Sequence, residues 1–484
     1  MSNLLLQTDS YKLSHYKQYP KGTQIVRSYL ESRGGQFDRT LFFGLQYLIQ
    51  KHLMGQVVTA EKIDEAERFA AAHFGNDHCF NRKGWEHILN KHDGVLPIKI
   101  KAVPEGTVVP VSNVLMTIEN TDHECYWLPN YLETLLVRTW YPITVATQSM
   151  FMKKVITEYL TETGDDSAEF KLHDFGYRGV SSEETAGIGG AAHLVNFMGS
   201  DTIAGIMLAN KYYDIDMSGF SIPASEHSTI TSWGKENEVE AMRNMLTQYP
   251  TGLVACVSDS FDIIKACTDL WGGELKNAVL ERDGVLVVRP DSGHPPTIVV
   301  DVLEALGGAF GYTTNSKGYK VLNPKVRVIQ GDGIDYEMLE KILYAMKVAG
   351  WSADNIAFGS GGGLLQKLDR DTQKFAFKCS SIQIDDMQRN VYKDPVTDPG
   401  KKSKMGSLRL ARIAAAHGSY FETLRQDEYM ANELEYDVLE TVFINGSHRT
   451  RDFQGVRERA SLNYAFREYE TVSKLKQEEV NHVS

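Results

Sequence analysis

Between Val326 and Lys367 the chain writes the same unit twice: a short apolar run of β type, a break into glycine and a polar side chain, then a segment of helical spacing. The first run (Val326, Val328, Ile329) breaks into G-D-G, and the second (Ile356, Ala357, Phe358) breaks into G-S-G-G-G-L-L-Q-K. Gly359, Gly361, Gly362 and Gly363 lack a Cβ, so positive φ and converging N–H groups are expected there, at the start of a helix over 364–368. Such a turn suits a phosphate, although G-x-x-x-x-G-K-[ST] is absent from it.

Five more runs of this kind precede these two: Lys171 to Phe175, Ser200 to Gly205, Gly219 to Pro223, Leu253 to Asp259 and Val285 to Asp291. Strands alternating with helices imply a parallel sheet, and seven or eight units are the count of a (β/α) barrel, whose site lies at the carboxyl ends of the strands. Those ends carry Asp174, Phe175 and Arg178; Asp201; His227 just beyond; Asp259; Arg289 and Asp291; Asp332; then the glycine loop. A single Asp after a strand is more often a helix cap, but carboxylates, arginines and a histidine on one rim point to a site.

The barrel is expected over 166–384, with Phe377 to Ile384 as its last strand. Residues 1–165 and 385–484 are expected to form a second, mixed α+β domain. In the first part, helical spacing recurs over 41–53, 60–74 and 83–90, and the alternation over 97–120 predicts a small antiparallel sheet. Helical segments follow over 125–160, interrupted at Tyr141, Pro142 and Ile143. The polar end K-Q-E-E-V-N-H-V-S is expected to fray.

Lys and Arg total 51 against 63 Asp and Glu, a net charge of -12, which excludes a general affinity for nucleic acid or anionic membrane. Any phosphate site must be a local cluster of cations. The amino terminus has no basic flank and no apolar run reaches spanning length, so a cytoplasmic protein without a membrane segment is expected. The five cysteines are scattered and read as reduced thiols, mostly in the core.

A phosphate turn, carboxylates and arginines without a nucleophile triad suggest chemistry on a phosphorylated sugar. Asp291 and Asp332 can accept hydrogen bonds from vicinal hydroxyls, while Arg178 and Arg289 can clamp a phosphate or orient a carbonyl. No H-E-x-x-H motif, Cys/His cluster or closely spaced ligand set is present, so no directly held metal is expected. Mg²⁺ would enter with a diphosphate.

The motifs H-D-F-G-Y-R-G-V-S-S (173–182), E-H-S-T-I-T-S-W-G-K (226–235), V-S-D-S (257–260), R-P-D-S-G (289–293), V-I-Q-G-D-G (328–333) and F-G-S-G-G-G-L-L-Q-K (358–367) resemble the nicotinamide phosphoribosyltransferase family. So do D-S-Y-K (9–12), A-V-P-E-G (102–106), W-Y-P-I-T-V-A-T (140–147) and K-D-P-V-T-D-P (393–399), in the family's order along nearly the whole chain. The resemblance implies a type II phosphoribosyltransferase fold, an α/β barrel beside a mixed domain from both chain ends. It also implies formation of nicotinamide mononucleotide and diphosphate from nicotinamide and phosphoribosyl pyrophosphate, for NAD salvage.

Carried over by motif, Phe175 would stack on one face of the pyridine ring and Tyr11 of the partner subunit on the other. Asp201 would accept the carboxamide N–H, and Arg289 would lie beside the amide oxygen. Asp291, Gly331 and Asp332 would hold the ribose hydroxyls, and Gly361 and Gly362 the 5'-phosphate. Arg178, Lys393 and Lys401 would line the diphosphate side; Arg370 and Lys378 would reach the neighbour's phosphate site in an obligatory homodimer. His227 would be phosphorylated by ATP, with Asp259 orienting it.

A pyridine nitrogen attacks with its lone pair and has no proton to lose, so the implied catalysis is placement and electrostatics. Asp201 would repel the carboxylate of nicotinic acid, which favours amide over acid. Two departures from the family stand out: Ala376 replaces a hydroxyl residue, weakening one phosphate contact, and the loop S-R-G-G-Q-F-D-R (32–39) differs from the family's, which leaves the role of Arg33 open. The alternatives are a nicotinate phosphoribosyltransferase, which Asp201 argues against, and a non-catalytic binding protein on the same scaffold, against which the intact rim argues.

Overall fold

The computed structural model describes residues 3–397, 401–415, 418–426 and 435–462. It divides into two units, Met1–Thr147 with Tyr212–Asp214 and Asp369–Ser484, and Gln148–Lys211 with Ile215–Leu368.

The first unit is built on a seven-stranded sheet in the order Met387–Asn390, Phe375–Ile384, Thr23–Ser32, Val114–Asn120, Ile98–Ala102, Glu440–Ile444 and Ser447–His448. Among the described residues its strands pair antiparallel throughout, and the central Thr23–Ser32 lies between Phe375–Ile384 and Val114–Asn120. The Asn120 side chain pins this centre, accepting from the Val26 N–H at 2.8 Å and donating to the Gln24 carbonyl at 2.8 Å. The alternation over 97–120 thus yields two strands of this sheet, with Val108–Pro110 pairing instead with Arg39–Leu41.

The helix expected over 60–74 forms as Ala60–Phe74, started by the Thr59 side chain, and the next as Arg82–Lys91, started by Asn81. Pro142 falls in the first turn of the helix Trp140–Thr163, where its missing N–H costs nothing, so the interruption is a helix start. One group of side chains had no counterpart in the sequence reading. His87 and His92 bring Nε2 to 3.0 and 2.7 Å from Asp122 Oδ2, and the Lys91 ammonium lies 3.0 Å from the same oxygen. The three imidazole and carboxylate groups are spaced as metal ligands are, but with Lys91 on the shared oxygen they form a polar clasp between a helix end and the turn after Val114–Asn120.

The second unit is the parallel one. Its strands run Gly199–Ser200, Leu172–Asp174, Ile356–Ser360, Val326–Gln330, Asp283–Arg289 and Thr251–Val257 in spatial order. Two single parallel bridges, Gly199 to Phe220 and Ala224 to Ala255, join residues 220–224 to both edges and close the ring. The seven runs read from the sequence are the seven segments of this ring. Its interior holds Ala255, Val287 and Ile329, with Phe175, Ile222 and Ala357 packed on them.

Phe377 to Ile384 is not a strand of this ring. It belongs to Phe375–Ile384 of the first unit, antiparallel to Thr23–Ser32 with Phe377 opposite Leu30. The link from Ile356–Ser360 to it holds one helix, the one-turn Gly362–Leu365, where a parallel return is usually made by a full crossover helix. The units accordingly divide after Thr147 and Leu368, where the sequence reading placed boundaries after 165 and 384. The carboxyl-terminal stretch expected to fray lies outside the described residues, as do the last two residues of the 393–399 motif.

Candidate active site

At the carboxyl ends of the ring an open cavity of about 260 Å³ is lined by His173, Phe175, Arg178, Asp201, Ser221 and Arg289 among others. His173 and Phe175 alternate at the end of one strand, which puts both on one face. The Phe175 ring packs over the apolar interior residues, and glycines make its slot. A Cβ on Gly359 would lie 1.9 Å from Phe175 Cε2, and one on Gly331 would lie 3.4 Å from the same atom.

The glycine loop therefore differs from the expectation in its reason. None of Gly359, Gly361, Gly362 and Gly363 takes a positive φ. Gly359 admits the Phe175 ring, and Gly363 lies against the Ile334 carbonyl, 2.4 Å from where its Cβ would be. Gly362 faces open space and begins the one-turn helix Gly362–Leu365 with Gly361 before it. The first N–H groups of a helix have no partner within it and are available to an anion. The 3-10 turn Tyr177–Gly179, carrying exposed Arg178, lies against this loop: a Cβ on Gly179 would be 3.4 Å from Gly362 N.

On the cavity's edge Asp201 is exposed and accepts a hydrogen bond from Ser221 Oγ at Oδ1. Its N–H donates to the Asp174 carbonyl at 2.9 Å. Arg289 donates through Nη2 and Nε to Asp291 Oδ1 at 2.8 and 3.2 Å, so a neighbouring carboxylate already offsets its charge. His173 is held neutral: burial pushes its imidazole down against the opposing Asp201 charge and the Phe170 carbonyl that its Nε2 meets at 3.1 Å.

Next along the rim His227 opens the helix His227–Thr231, whose capping box joins Glu226 and Thr229. The imidazole is half exposed, with Nε2 3.0 Å from Asp259 Oδ1 and Nδ1 3.9 Å from Asp291 Oδ2. Asp259 Oδ2 accepts the Asp291 N–H at 3.0 Å. Burial alone would raise the Asp259 carboxyl, but hydrogen bonds from Ser292, His227 and the Asp291 N–H hold it below the ordinary carboxylate range. Asp259 thus faces His227 as an anion. Asp332 is exposed at the next loop, beside Gly331.

The structure thus brings Phe175, Arg178, Asp201 and Arg289 to one cavity. Asp291 joins them through Arg289, His227 and Asp259 through Asp291, and Gly331 through Phe175. Tyr11, Arg370, Lys378, Lys393 and Lys401 belong to the first unit. There Tyr11 is exposed on the 3-10 helix Ser10–Lys17, edge-on to His15. Lys378 is pushed below the usual lysine range by burial, opposed by Glu133 and reinforced by Arg33, Lys393 and Arg370, which marks these four as one cationic group. Arg33 also pairs with Glu31 at 2.7 Å, and Glu31 with Lys404 at 2.6 Å. Lys401 is exposed, and Ala376 is buried opposite Glu31.

Sequence reasoning missed Ser221, His173 and Thr202 as cavity residues. The alternation from Phe175 points to His173, but nothing short of the ring's closure brings Ser221 beside Asp201.

A ring of parallel strands with an apolar slot and a glycine loop at their carboxyl ends, plus a mixed unit from both chain ends, is a type II phosphoribosyltransferase. Two solved structures share the fold at TM-score 0.59 and 14% identity: nicotinate-nucleotide pyrophosphorylase from Pyrococcus furiosus, over 95% of each chain, and human nicotinic acid phosphoribosyltransferase, over 95% of this chain and 93% of that one. The chain belongs to the nicotinate phosphoribosyltransferase family, whose model matches residues 170–446. A model of the nicotinamide phosphoribosyltransferase N-terminal domain matches residues 3–100.

Among its relatives, the nicotinamide phosphoribosyltransferase of Xanthomonas campestris is 52% identical over 92% of this chain and 95% of its own length. That of Acinetobacter baylyi is 34% identical over 92% and 94%. The protein is therefore an enzyme, a pentosyltransferase. No helix among the described residues is long and apolar enough to cross a membrane.

Proposed function

We propose that the enzyme joins nicotinamide to phosphoribosyl pyrophosphate, releasing diphosphate and nicotinamide mononucleotide for NAD salvage. The observation that carries this reading is the pairing of the Phe175 slot with Asp201. The slot takes a flat ring, and the carboxylate at its edge is oriented by Ser221 while Arg289 is already compensated by Asp291. An amide N–H finds an acceptor there, whereas the carboxylate of nicotinic acid meets a like charge.

Phe175 stacks on one face of the pyridine, and Tyr11 of the partner subunit covers the other in a homodimer with shared sites. Arg289 lies beside the amide oxygen. Asp291, Asp332 and Gly331 hold the ribose hydroxyls, and the Gly361 and Gly362 amides take the 5'-phosphate. Arg178, Lys393 and Lys401 attract the diphosphate, with Arg370 and Lys378 serving the neighbour's site. The ring nitrogen is then held in line with C1 of the ribose, and cations stabilise the departing diphosphate. Mg²⁺ enters with the diphosphate, and the exposed oxygen donor of Asp332 suits such a hard cation.

ATP is the co-substrate that drives synthesis, through phosphorylation of His227 with Asp259 orienting the imidazole; the 3.0 Å contact between them supports that role. The reaction belongs in the cytoplasm. Comparison of kcat/KM for nicotinamide and nicotinic acid tests the reading. The amide is expected to win by at least tenfold, and a larger value for the acid would sink it.

A further inference from the structure

The first unit holds a group of side chains that the reaction does not use. His87, Lys91 and His92 stand at the end of the helix Arg82–Lys91, and Asp122 caps the 3-10 turn His123–Cys125. Two side chains five positions apart on a regular helix point about 140° apart. The cap at His92 leaves helical geometry, with φ -120° and ψ 17°, and both imidazoles meet the same carboxylate. Their Nε2 atoms lie 3.0 and 2.7 Å from Asp122 Oδ2, and the three atoms are all within 4.8 Å of one another. The ring planes cross at 67°, so the rings converge on the oxygen without stacking. Among the described residues no other group of His, Cys, Asp or Glu has this spacing.

Hydrogen bonding alone suits the arrangement poorly. A carboxylate oxygen offers about two lone-pair sites, yet Oδ2 faces three nitrogens, the third being the Lys91 ammonium at 3.0 Å. The carboxylate is also held in place from the other side. Its Oδ1 accepts the Glu124 N–H at 3.0 Å, and the Asp122 carbonyl accepts from Asn120 Nδ2 at 2.8 Å and from the Cys125 N–H at 2.9 Å. A divalent cation uses the same three atoms without a surplus. It takes one lone pair from each Nε2 and one from Oδ2, and the ring protons then sit on Nδ1.

Zinc binds imidazole nitrogen and carboxylate oxygen at about 2.0–2.2 Å, so ligand atoms at tetrahedral angles lie roughly 3.3 Å apart. The two nitrogen-to-oxygen distances need to open by only a few tenths of an ångström to reach that spacing. Two imidazoles and one carboxylate form a donor set of three-ligand zinc sites, softer than the oxygen sets that hold Mg²⁺. The end of a helix adds its own attraction for a cation. Lys91 is the group that can give way: its side chain is 59% exposed, against 27% for each imidazole and 8% for Asp122. Glu124, whose charge also acts on the Lys91 ammonium, remains beside it.

We propose that His87, His92 and Asp122 form a zinc site in the first unit, with water as the fourth ligand and Lys91 displaced to solvent. The ion ties the end of Arg82–Lys91 to the turn after Val114–Asn120. It is distinct from the Mg²⁺ that enters with the diphosphate and does not depend on the identity of the substrate.

The experiment uses the full-length protein, cleared of metal with a chelator and dialysed. Binding of Zn²⁺ is followed by equilibrium dialysis with metal analysis, Co²⁺ by its visible spectrum, and stability by thermal midpoints, for the parent, His87→Gln, His92→Gln and Lys91→Ala. The parent should bind one Zn²⁺ per chain at this site in the micromolar range or tighter, melt higher with zinc than without, and give the visible bands of a tetrahedral site with Co²⁺. Either glutamine variant should bind about tenfold or more weakly and lose those bands. Lys91→Ala removes the ammonium that competes for Oδ2, so it should bind zinc roughly two- to fivefold more tightly, the strength of an exposed ion pair. A purely hydrogen-bonded clasp predicts no such gain.

A parent that takes up no zinc in this range, glutamine variants that bind it as the parent does, or a Lys91→Ala variant that binds it no more tightly overturns the proposal. If the glutamine variants fail to fold, Lys91→Ala and the cobalt spectrum of the parent decide it.

Discussion

Replacing Gly359 by Ala should disable the ring slot without touching a charged group. The added Cβ would lie 1.9 Å from Phe175 Cε2, 2.2 Å from Cδ2 and 2.8 Å from Cζ, the nearest of them roughly 1.5 Å or more inside carbon–carbon contact. Gly359 lies within the strand Ile356–Ser360, so the backbone is held on both sides and the ring must give way. If the strand yields, overpacking costs about 1–3 kcal/mol, or about 2–10 °C in Tm for a unit of this size. If Phe175 swings into the cavity it takes the place of the nicotinamide, and a stacking contact of about 1–3 kcal/mol is lost, roughly 5- to 150-fold in Kd.

The assay is a cycle of Gly359→Ala, Phe175→Leu and the double variant, read by kcat/KM for nicotinamide and by thermal unfolding. The smaller side chain should relieve the clash, so the double variant should be less damaged than the sum of the single ones by about 1 kcal/mol or more. Gly362→Ala is the control: its Cβ meets nothing within 4 Å and its φ is not positive, so it should fold normally and raise KM for phosphoribosyl pyrophosphate alone. Gly359→Ala with the parent's KM and Tm would refute the slot.

Asp201→Asn should reduce the preference for amide over acid by roughly 5- to 1000-fold, the range spanned by two charges about 4 Å apart at effective dielectrics of 80 to 20; unchanged ratios of kcat/KM would exclude it as the discriminating charge. His227→Ala should retain basal synthesis and lose stimulation by ATP, and equal stimulation in variant and parent would contradict the phosphohistidine. Asp122 lies well below the usual carboxylate range: burial opposes the ionised form, but hydrogen bonds from His87, His92 and Lys91 overcome it. Its contribution to stability is present above about pH 4 and lost below it, so parent and Asp122→Asn should differ in Tm at pH 6 and converge toward pH 3. Tyr213→Phe removes the hydroxyl that donates to Glu105 Oε2 at 2.8 Å inside the first unit, which should lower stability by about 1–3 kcal/mol, measured by urea unfolding.

Much of the ring was legible because buried parallel strands read as short apolar runs ending in polar residues, and each run here ends on the site. What periodicity cannot report is which sheet a strand joins. The alternation over 377–384 is equally that of a central antiparallel strand, and only the missing crossover helix argues against the ring. The glycine loop was legible as a loop but not in its cause, since a close approach to Phe175 depends on a ring 184 positions earlier (359 − 175 = 184). Asp174 looked like the other strand-end carboxylates, and burial alone separates it from them. The clasp of His87 and His92 on Asp122 joins residues thirty or more positions apart (122 − 92 = 30), a contact that spacing does not encode.

The central claim is the reaction itself. The purified protein, given phosphoribosyl pyrophosphate and Mg²⁺ with nicotinamide or nicotinic acid, with and without ATP, is followed by chromatography of the mononucleotides. Nicotinamide mononucleotide formed from the amide, increased by ATP, with little or no product from the acid, is the predicted result. Preferential formation of nicotinic acid mononucleotide would contradict the role of Asp201 and move the activity to the acid.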